Sequence, residues 1–152
     1  MSPITITLWG NDVAELSDAC QDKLACIRAR APRATAQFAS RLSSILRRLR
    51  VSAPKAEIIV TGAWDDNVAK LKQNDPLIHG LDATIARTTA SAKARFADTF
   101  PTFNPQGSLA REKARICALT FTCSEGGGHP TNAGYRAIAA AVWAASGYSD
   151  RS

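Results

Sequence analysis

Residues 56–67 read AEIIVTGAWDDN, an apolar run that ends in an acidic turn. Ile58, Ile59 and Val60 are consecutive apolar residues, which is typical of a strand that is buried on both faces of a parallel sheet. The polar residues from Trp64 to Asn67 mark the place where such a strand ends. We therefore predict a β-strand over Ala56 to Ala63 in an α/β layered fold.

Strand and helix patterns alternate on both sides of this run. Residues 4–9 (ITITLW) and 95–100 (RFADTF) have the β-branched and apolar character of strands. Apolar side chains recur at helical spacing in residues 38–49, and a second helix is predicted over residues 82–94 with Asp82 as its N-cap. Residues 12–37 are predicted to be a polar connection that carries two cysteines.

A final helix is predicted to begin at Thr131 or Asn132, because both residue types cap helices and an apolar face follows them. The residues between 101 and this helix are predicted to be loop. An order in which strands alternate with helices implies a parallel sheet. The length of 152 residues fits one domain, which we assign to residues 1–152.

Composition excludes several classes of protein. Hydrophobic residues make up 45% and charged residues 21% of the chain, as in an ordinary globular protein. The net charge is +6, but only Arg47, Arg48 and Arg50 form a cluster, and a solvated helix face accounts for it, so we predict no nucleic-acid partner. No apolar run approaches the ~18 to 20 residues of a membrane span, so we predict no integral membrane segment.

The four cysteines form two pairs with the same spacing, Cys20 with Cys26 and Cys117 with Cys123. Short paired spacings favour two disulfides and an oxidising, extracellular compartment. The alternative is four reduced, buried cysteines. No export signal opens the chain, so we expect the natural N-terminus of a secreted protein to lie upstream of Met1.

A zinc site is a further alternative for Cys117 and Cys123, with His129 as a third ligand. The spacings exceed those of ordinary zinc motifs and the sequence offers no clear fourth ligand. We therefore predict no metal.

Two polar residues lie where a parallel sheet binds its ligands, beyond the carboxyl ends of its strands. Asn11 follows the first strand in the segment WGND, and His129 lies in the Gly-rich loop CSEGGGHPTNAGY, residues 123–135, directly before the final helix. A side-chain amide that donates to a developing oxyanion and an imidazole that takes a proton are two of the groups that acyl transfer requires. Asp65 and Asp66 could line the same crevice, as could Asp12, but none has an assigned step.

These motifs resemble those of the SGNH, or GDSL-type, ester hydrolases, and the resemblance covers nearly the whole chain. Residues 4–12 look like the family block in which a strand ends in Gly-x-Asn-Asp. His129, Pro130 and Thr131, with Gly134 and Tyr135, look like the block that carries the histidine. The resemblance implies a three-layer sandwich around a flavodoxin-like parallel sheet, and hydrolysis of a carboxylic ester, a lipid or an acetylated sugar without a cofactor.

By this resemblance, Asn11 is the oxyanion-hole residue and His129 is the general base. The Gly-Asp-Ser block that carries the family's nucleophile has no counterpart in this sequence. We therefore expect a C-terminal portion of a hydrolase, truncated and incomplete at its N-terminal strands. The family's acid lies two or three positions before the histidine, where this chain has glycines, so the nearest carboxylate, Glu125, is the candidate acid.

Two alternatives for the function remain open. Ser124, beside the histidine loop, is a candidate for an unusual nucleophile. A non-catalytic module that binds acyl or glycan ligands in the same crevice belongs to a different class of protein.

The strand at residues 4–9 has a consequence for assembly. Without the family's first strand beside it, it becomes an exposed apolar edge, so we expect self-association. The alternative is that residues 101–116 fold over this edge.

Overall fold

The computed structural model describes residues 3–148 and has a mixed α/β fold with a small parallel sheet. The predicted domain, residues 1–152, extends beyond the described residues at both ends. Three strands form the sheet in the order β1-β2-β3, and all pairs are parallel, as the alternating pattern predicts. The strands are β1 (Ile4–Ile6), β2 (Ile58–Thr61) and β3 (Arg95–Ala97).

The described residues contain six α-helices, none of which combines the length and apolar composition needed to cross a membrane. They are α1 (Gly10–Ala19), α2 (Leu24–Ser52), α3 (Asp75–Ser91), α4 (Phe100–Phe103), α5 (Leu109–Leu119) and α6 (Asn132–Ala145). A short 3-10 turn, Phe121–Cys123, follows α5. The final helix is capped as predicted, because the Thr131 hydroxyl accepts a hydrogen bond from the Gly134 N–H at 3.2 Å.

Two helices lie where the sequence predicts connections or loop. Helix α1 contains no buried residue, and its half-buried apolar residues, Val13 and Leu16, are too few for a periodicity argument to detect. Helix α5 does have a buried face, but one of its members is Glu112, which is fully buried beside Ile116 and Leu119. A carboxylate at a core position interrupts the apolar pattern, and this explains why the helix was missed.

The other helices begin earlier in the chain than predicted, whereas the strands are shorter than predicted. Helix α2 begins at Leu24 and not near Phe38, and α3 begins at Asp75 and not at Asp82. The strands are shorter than their apolar runs: residues 7–9 and 98–100 lie outside β1 and β3, and Phe100 opens α4.

The two faces of β2 pack differently. Ile58 and Val60 belong to the main core, together with Leu42 and Leu46 of α2. Ile59, on the alternate face, lines a groove of about 590 Å³ that runs beside α6. All four residues of β2 are buried, in agreement with the prediction of a strand that is buried on both faces.

Strand β1 is an edge of the sheet within the described residues, because its pairing is with β2 alone. Helices α4 and α5, which contain most of residues 101–116, pack against each other, and α5 packs against α6. Thr5 of β1 is exposed.

Candidate active site

A cavity of about 920 Å³ lies at the carboxyl ends of β1 and β2. Its lining comes from α1, the loop that follows β2 and the loop that precedes α6, with further residues from α2 and α3. Asn11 and His129 both line this cavity. The structure thus brings together the two residues that the sequence motifs single out.

Asn11 lies in the first turn of α1 and is exposed to the cavity side of the molecule. Trp9, at the N-cap position, provides no side-chain hydrogen bond to the helix N-terminus. The N–H groups of the first turn and the helix dipole favour negative charge at this end. An amide on such a turn is suited to stabilise an oxyanion.

His129 is exposed, in a loop that is anchored on both sides. The His129 carbonyl oxygen accepts a hydrogen bond from the Phe121 N–H at 2.9 Å, and Thr120 pairs with Pro130 in an isolated antiparallel bridge. Gly134, one turn into α6, packs against the Leu119 carbonyl so closely that a Cβ would collide with it. The ends of the loop are therefore fixed, although the imidazole itself is accessible.

Both predicted disulfides are present. Cys20 and Cys26 join the end of α1 to the first turn of α2, and Cys117 and Cys123 join α5 to the 3-10 turn before the histidine loop. The described chain has no free cysteine, so neither the reduced state nor the zinc site proposed for Cys117 and Cys123 applies. Residues 3–148 contain no other group of His, Cys, Asp and Glu suited to a metal ion.

The loop that follows β2 is buried and held by side chains. Asn104 accepts a hydrogen bond from the Asp65 N–H and donates one to the Asp65 carbonyl, both at 2.9 Å. Asn104 also donates to Glu112 at 3.2 Å, and Glu112 forms an ion pair with Lys72 at 2.7 Å. Burial raises the pKa of Asp65 to about 6, although the Asn67 N–H opposes the shift by donating to its carboxylate.

Asp66, the next residue, is half-buried and also lines the cavity. Its carboxylate lies against the backbone of Gly128, where a Cβ would collide with Oδ2. Burial raises the pKa of Asp66, and the charge of His129 opposes this rise. The sequence analysis placed Asp66 near the crevice without a role.

Glu125 and Ser124 are exposed, and neither is among the residues that line the cavity. The Ser124 hydroxyl donates to the Phe121 carbonyl at 3.4 Å, and the Glu125 N–H donates to the same oxygen at 2.8 Å. The structure does not bring these two side chains to the site of Asn11.

An aromatic wall that sequence reasoning missed forms another part of the cavity. Trp9 and Trp64 are buried and meet edge to face, with ring centroids 4.6 Å apart, and Trp64 stacks on Phe103 at 4.4 Å. Tyr135 and Leu8 are exposed residues that also line the cavity. Trp9 is the last residue of one predicted strand and Trp64 directly follows another, and these positions were the available signal.

The charged residues that line the cavity are mostly acidic, in a protein whose net charge is +6. None of the described lining residues is Lys or Arg, although Arg41 pairs with Asp12 from outside the cavity. The carboxylates among them are Asp12, Asp18, Asp22, Asp65 and Asp66.

Comparison with known proteins supports the fold. The structure is similar to the crystal structure of phospholipase A1 from Streptomyces albidoflavus NA297, with a TM-score of 0.67 and 23% sequence identity. The match covers 96% of this chain and 70% of that chain. No family model and no curated protein matches the sequence. The chain therefore shares the fold of a lipid hydrolase.

Proposed function

We propose that this chain carries the base and the oxyanion residue of a serine ester hydrolase of the SGNH type, with the three-layer sandwich of that family; no nucleophile is assigned within it. The observation that carries the proposal is that Asn11 and His129 line one cavity at the carboxyl ends of two parallel strands. These positions match the family's oxyanion and base residues, and the fold match to a phospholipase A1 agrees with an ester hydrolase.

In the proposed reaction, His129 takes the proton of a serine hydroxyl as the hydroxyl oxygen attacks the ester carbonyl carbon. The carbonyl oxygen becomes an oxyanion, which the Asn11 amide stabilises together with the N–H groups of the first turn of α1. The intermediate collapses to an acyl-enzyme, and the leaving alcohol takes the proton from His129. Water then repeats the sequence and releases the acid.

The substrate is proposed to be an uncharged ester. Leu8 and Tyr135 offer exposed apolar surface to an acyl group or a sugar ring, and the buried Trp9 and Trp64 lie behind the cavity wall. The carboxylates that line the cavity repel phosphate and other anionic groups, and no Lys or Arg among the described lining residues offsets them. Lipid and acetylated-sugar esters both remain candidates, with neutral members of each class preferred. The two disulfides agree with a secreted protein.

The proposal is tested by labelling the purified chain with a fluorophosphonate, which reacts with activated serines, and mapping the labelled peptide. A label on one serine that His129→Ala abolishes would support the proposed base and identify a nucleophile in this chain, whereas the absence of any label would support a hydrolase whose nucleophile this sequence does not supply. His79→Ala is the matched control, because His79 is exposed, packs on Phe100 and does not line the cavity. A label that persists in His129→Ala would contradict the proposed base.

A second candidate function is a binding module that uses the same cavity without turnover. It is favoured by the lack of a Gly-Asp-Ser block in the sequence and by the position of Ser124 away from the cavity. Calorimetry with a non-hydrolysable acyl analogue distinguishes the two. Binding without turnover or labelling supports the module, whereas turnover that depends on His129 supports the enzyme.

A further inference from the structure

The residue before His129 makes an unusually close approach to a carboxylate. Gly128 leaves no space for a side chain: a Cβ there would collide with Oδ2 of Asp66, and it would lie 2.6 Å from the carboxyl carbon. Its neighbour Gly127 is different, because a Cβ there would meet only the ring carbon Cδ2 of His129, at an ordinary 3.7 Å. The glycine at 128 therefore admits the Asp66 carboxylate to the histidine loop.

The position of Asp66 is fixed from both sides. The Thr122 hydroxyl donates to the Asp66 carbonyl at 3.1 Å, which ties the β2 loop to the turn before the histidine loop. The preceding residue, Asp65, is held by its two backbone hydrogen bonds with Asn104. The backbone that carries the Asp66 carboxylate is therefore held in place, whereas Glu125 lies in an exposed turn.

Among the described residues that line the cavity, His129 is the one side chain that can carry a positive charge. The described lining residues include no Lys or Arg, and the adjacent Asp65 is itself acidic. The interaction with His129 opposes the effect of burial, which raises the pKa of Asp66. The two groups therefore interact electrostatically across the cavity wall.

We propose that Asp66 is the positioning residue of His129: its carboxylate, packed against the Gly128 backbone, fixes the loop that carries the imidazole, and its charge stabilises the imidazolium that forms when His129 accepts a proton. This role replaces that of an acid within the histidine loop, where this chain has only glycines and the exposed Glu125. The catalytic part of the role rests on the proposed ester hydrolysis. The contact of the Asp66 carboxylate with Gly128 is present in the folded chain, and its effect on His129 is measurable without turnover.

The first test is NMR of the two histidines. Asp66→Asn is expected to change the imidazole ¹⁵N shifts and the tautomer ratio of His129, with those of His79 unchanged. Gly128→Ala is expected to produce the same change by displacing the carboxylate, while Gly127→Ala and Glu125→Gln produce little. Unchanged His129 signals in both Asp66→Asn and Gly128→Ala would overturn the proposal.

The reciprocal measurement follows the carboxylate. In His129→Gln, the pKa of Asp66 is expected to rise further, because the opposing charge is lost. The carboxyl of Asp82, whose charged neighbour is Asp98, serves as the control and should not respond. An Asp66 titration that His129→Gln does not alter would also overturn the proposal.

Kinetics separates this proposal from the proposed function. If the chain turns over an uncharged ester, Asp66→Asn should lower kcat roughly 100-fold or more with a smaller effect on KM, and Glu125→Gln should change neither. Turnover that is unaffected by Asp66→Asn would overturn the role of Asp66. A chain that shows the NMR coupling but no turnover would contradict the hydrolase and leave the pairing in place.

Discussion

The segments that follow β1 and β2 reach the same cavity in opposite ways. After β1, the chain enters α1 almost at once, and Asn11 is exposed on a helix that contains no buried residue. After β2, residues 61–65 are all buried, and the side chains of Asp82, Thr99 and Asn104 hold their backbone. The first segment exposes the Asn11 amide without requiring a buried helix face, whereas the second segment stabilises the cavity wall.

This difference predicts that pH acts mainly on the second segment. The Asp82 carboxylate accepts a hydrogen bond from the Ala63 N–H at 2.6 Å, and burial raises the pKa of Asp82 to about 7. The folded state therefore favours the protonated acid. The protonated Asp82 carboxyl makes its full contribution to the free energy of unfolding below pH ~4. As the pH rises to about 7 this contribution is lost, and the loss is ~4 kcal/mol because each pKa unit corresponds to about 1.4 kcal/mol.

Urea unfolding of the wild type and Asp82→Asn between pH 4 and pH 8 checks this expectation. Asparagine keeps the acceptor oxygen but does not titrate, so the variant should lose less stability than the wild type as the pH rises. Asp65, whose pKa burial raises to about 6, keeps part of the pH dependence in both proteins. Equal pH dependence in the two proteins would contradict the assignment to Asp82.

The next largest effect is expected at Asn104, which joins the β2 segment to α5. Asn104→Ala leaves the buried N–H and carbonyl of Asp65 without their partners and also removes the hydrogen bond to Glu112. We expect a loss of about 3 kcal/mol in the free energy of unfolding. Asn132→Ala, at an exposed position in α6, is the control and should change stability by less than about 0.5 kcal/mol. A loss at Asn104 no larger than the control would show that the network does not stabilise the wall.

The two disulfides extend the comparison, because Cys20–Cys26 follows α1 and Cys117–Cys123 anchors the turn whose Thr122 contacts the loop after β2. Each closes a loop with a sequence separation of 6, so the chain-entropy model gives about 2.3 kcal/mol for either bond. Replacing each pair by alanine should therefore reduce stability to a similar extent. Loss of the Cys117–Cys123 bond should in addition lower any His129-dependent turnover, since it anchors the segment that leads to the histidine loop. Equal effects of both pairs on turnover would contradict this difference.

The smallest expected effect concerns the open edge of β1. The Ile4 N–H donates to the carbonyl of Glu57, the residue before β2, at 2.7 Å. Because the N–H directions alternate along a strand, the Thr5 N–H points to the open edge. We predict weak self-association through this edge, which sedimentation at micromolar concentration would detect. Thr5→Pro removes only the outward donor and should give a monomer. A monomeric wild-type chain would contradict the prediction.

The parts of the fold that could be predicted are those in which burial and local sequence agree. Strand β2 is a continuous apolar run, and α6 has both a threonine cap and an apolar face. Helix α5 could not be predicted from periodicity, because Glu112 occupies a buried position that only its partners Lys72 and Asn104 make tolerable. Such a residue is recognisable only after the fold has brought its partners to it.

The residues of the candidate site also differ in whether a local sequence motif predicts their position. Asn11 and His129 were predictable, because each lies in a local motif beside a strand or helix end. Asp66 and its contact with Gly128 were not, since the two residues are far apart in the sequence and meet only when the β2 segment packs on the histidine loop. A carboxylate after a strand indicates a ligand-binding edge, but not which residue it serves.

The central claim, that Asn11 and His129 act on one ester in one cavity, is tested most directly by a double-mutant cycle on kcat for a short-chain nitrophenyl ester. Asn11→Ala should lower kcat about 100- to 1,000-fold, and His129→Ala should lower it about 100- to 10,000-fold, with little change in stability because both side chains are exposed. The double variant should be little slower than the slower single variant, since groups that act in one step are not additive. Turnover that is unchanged in either single variant, or losses that simply multiply, would contradict a shared site.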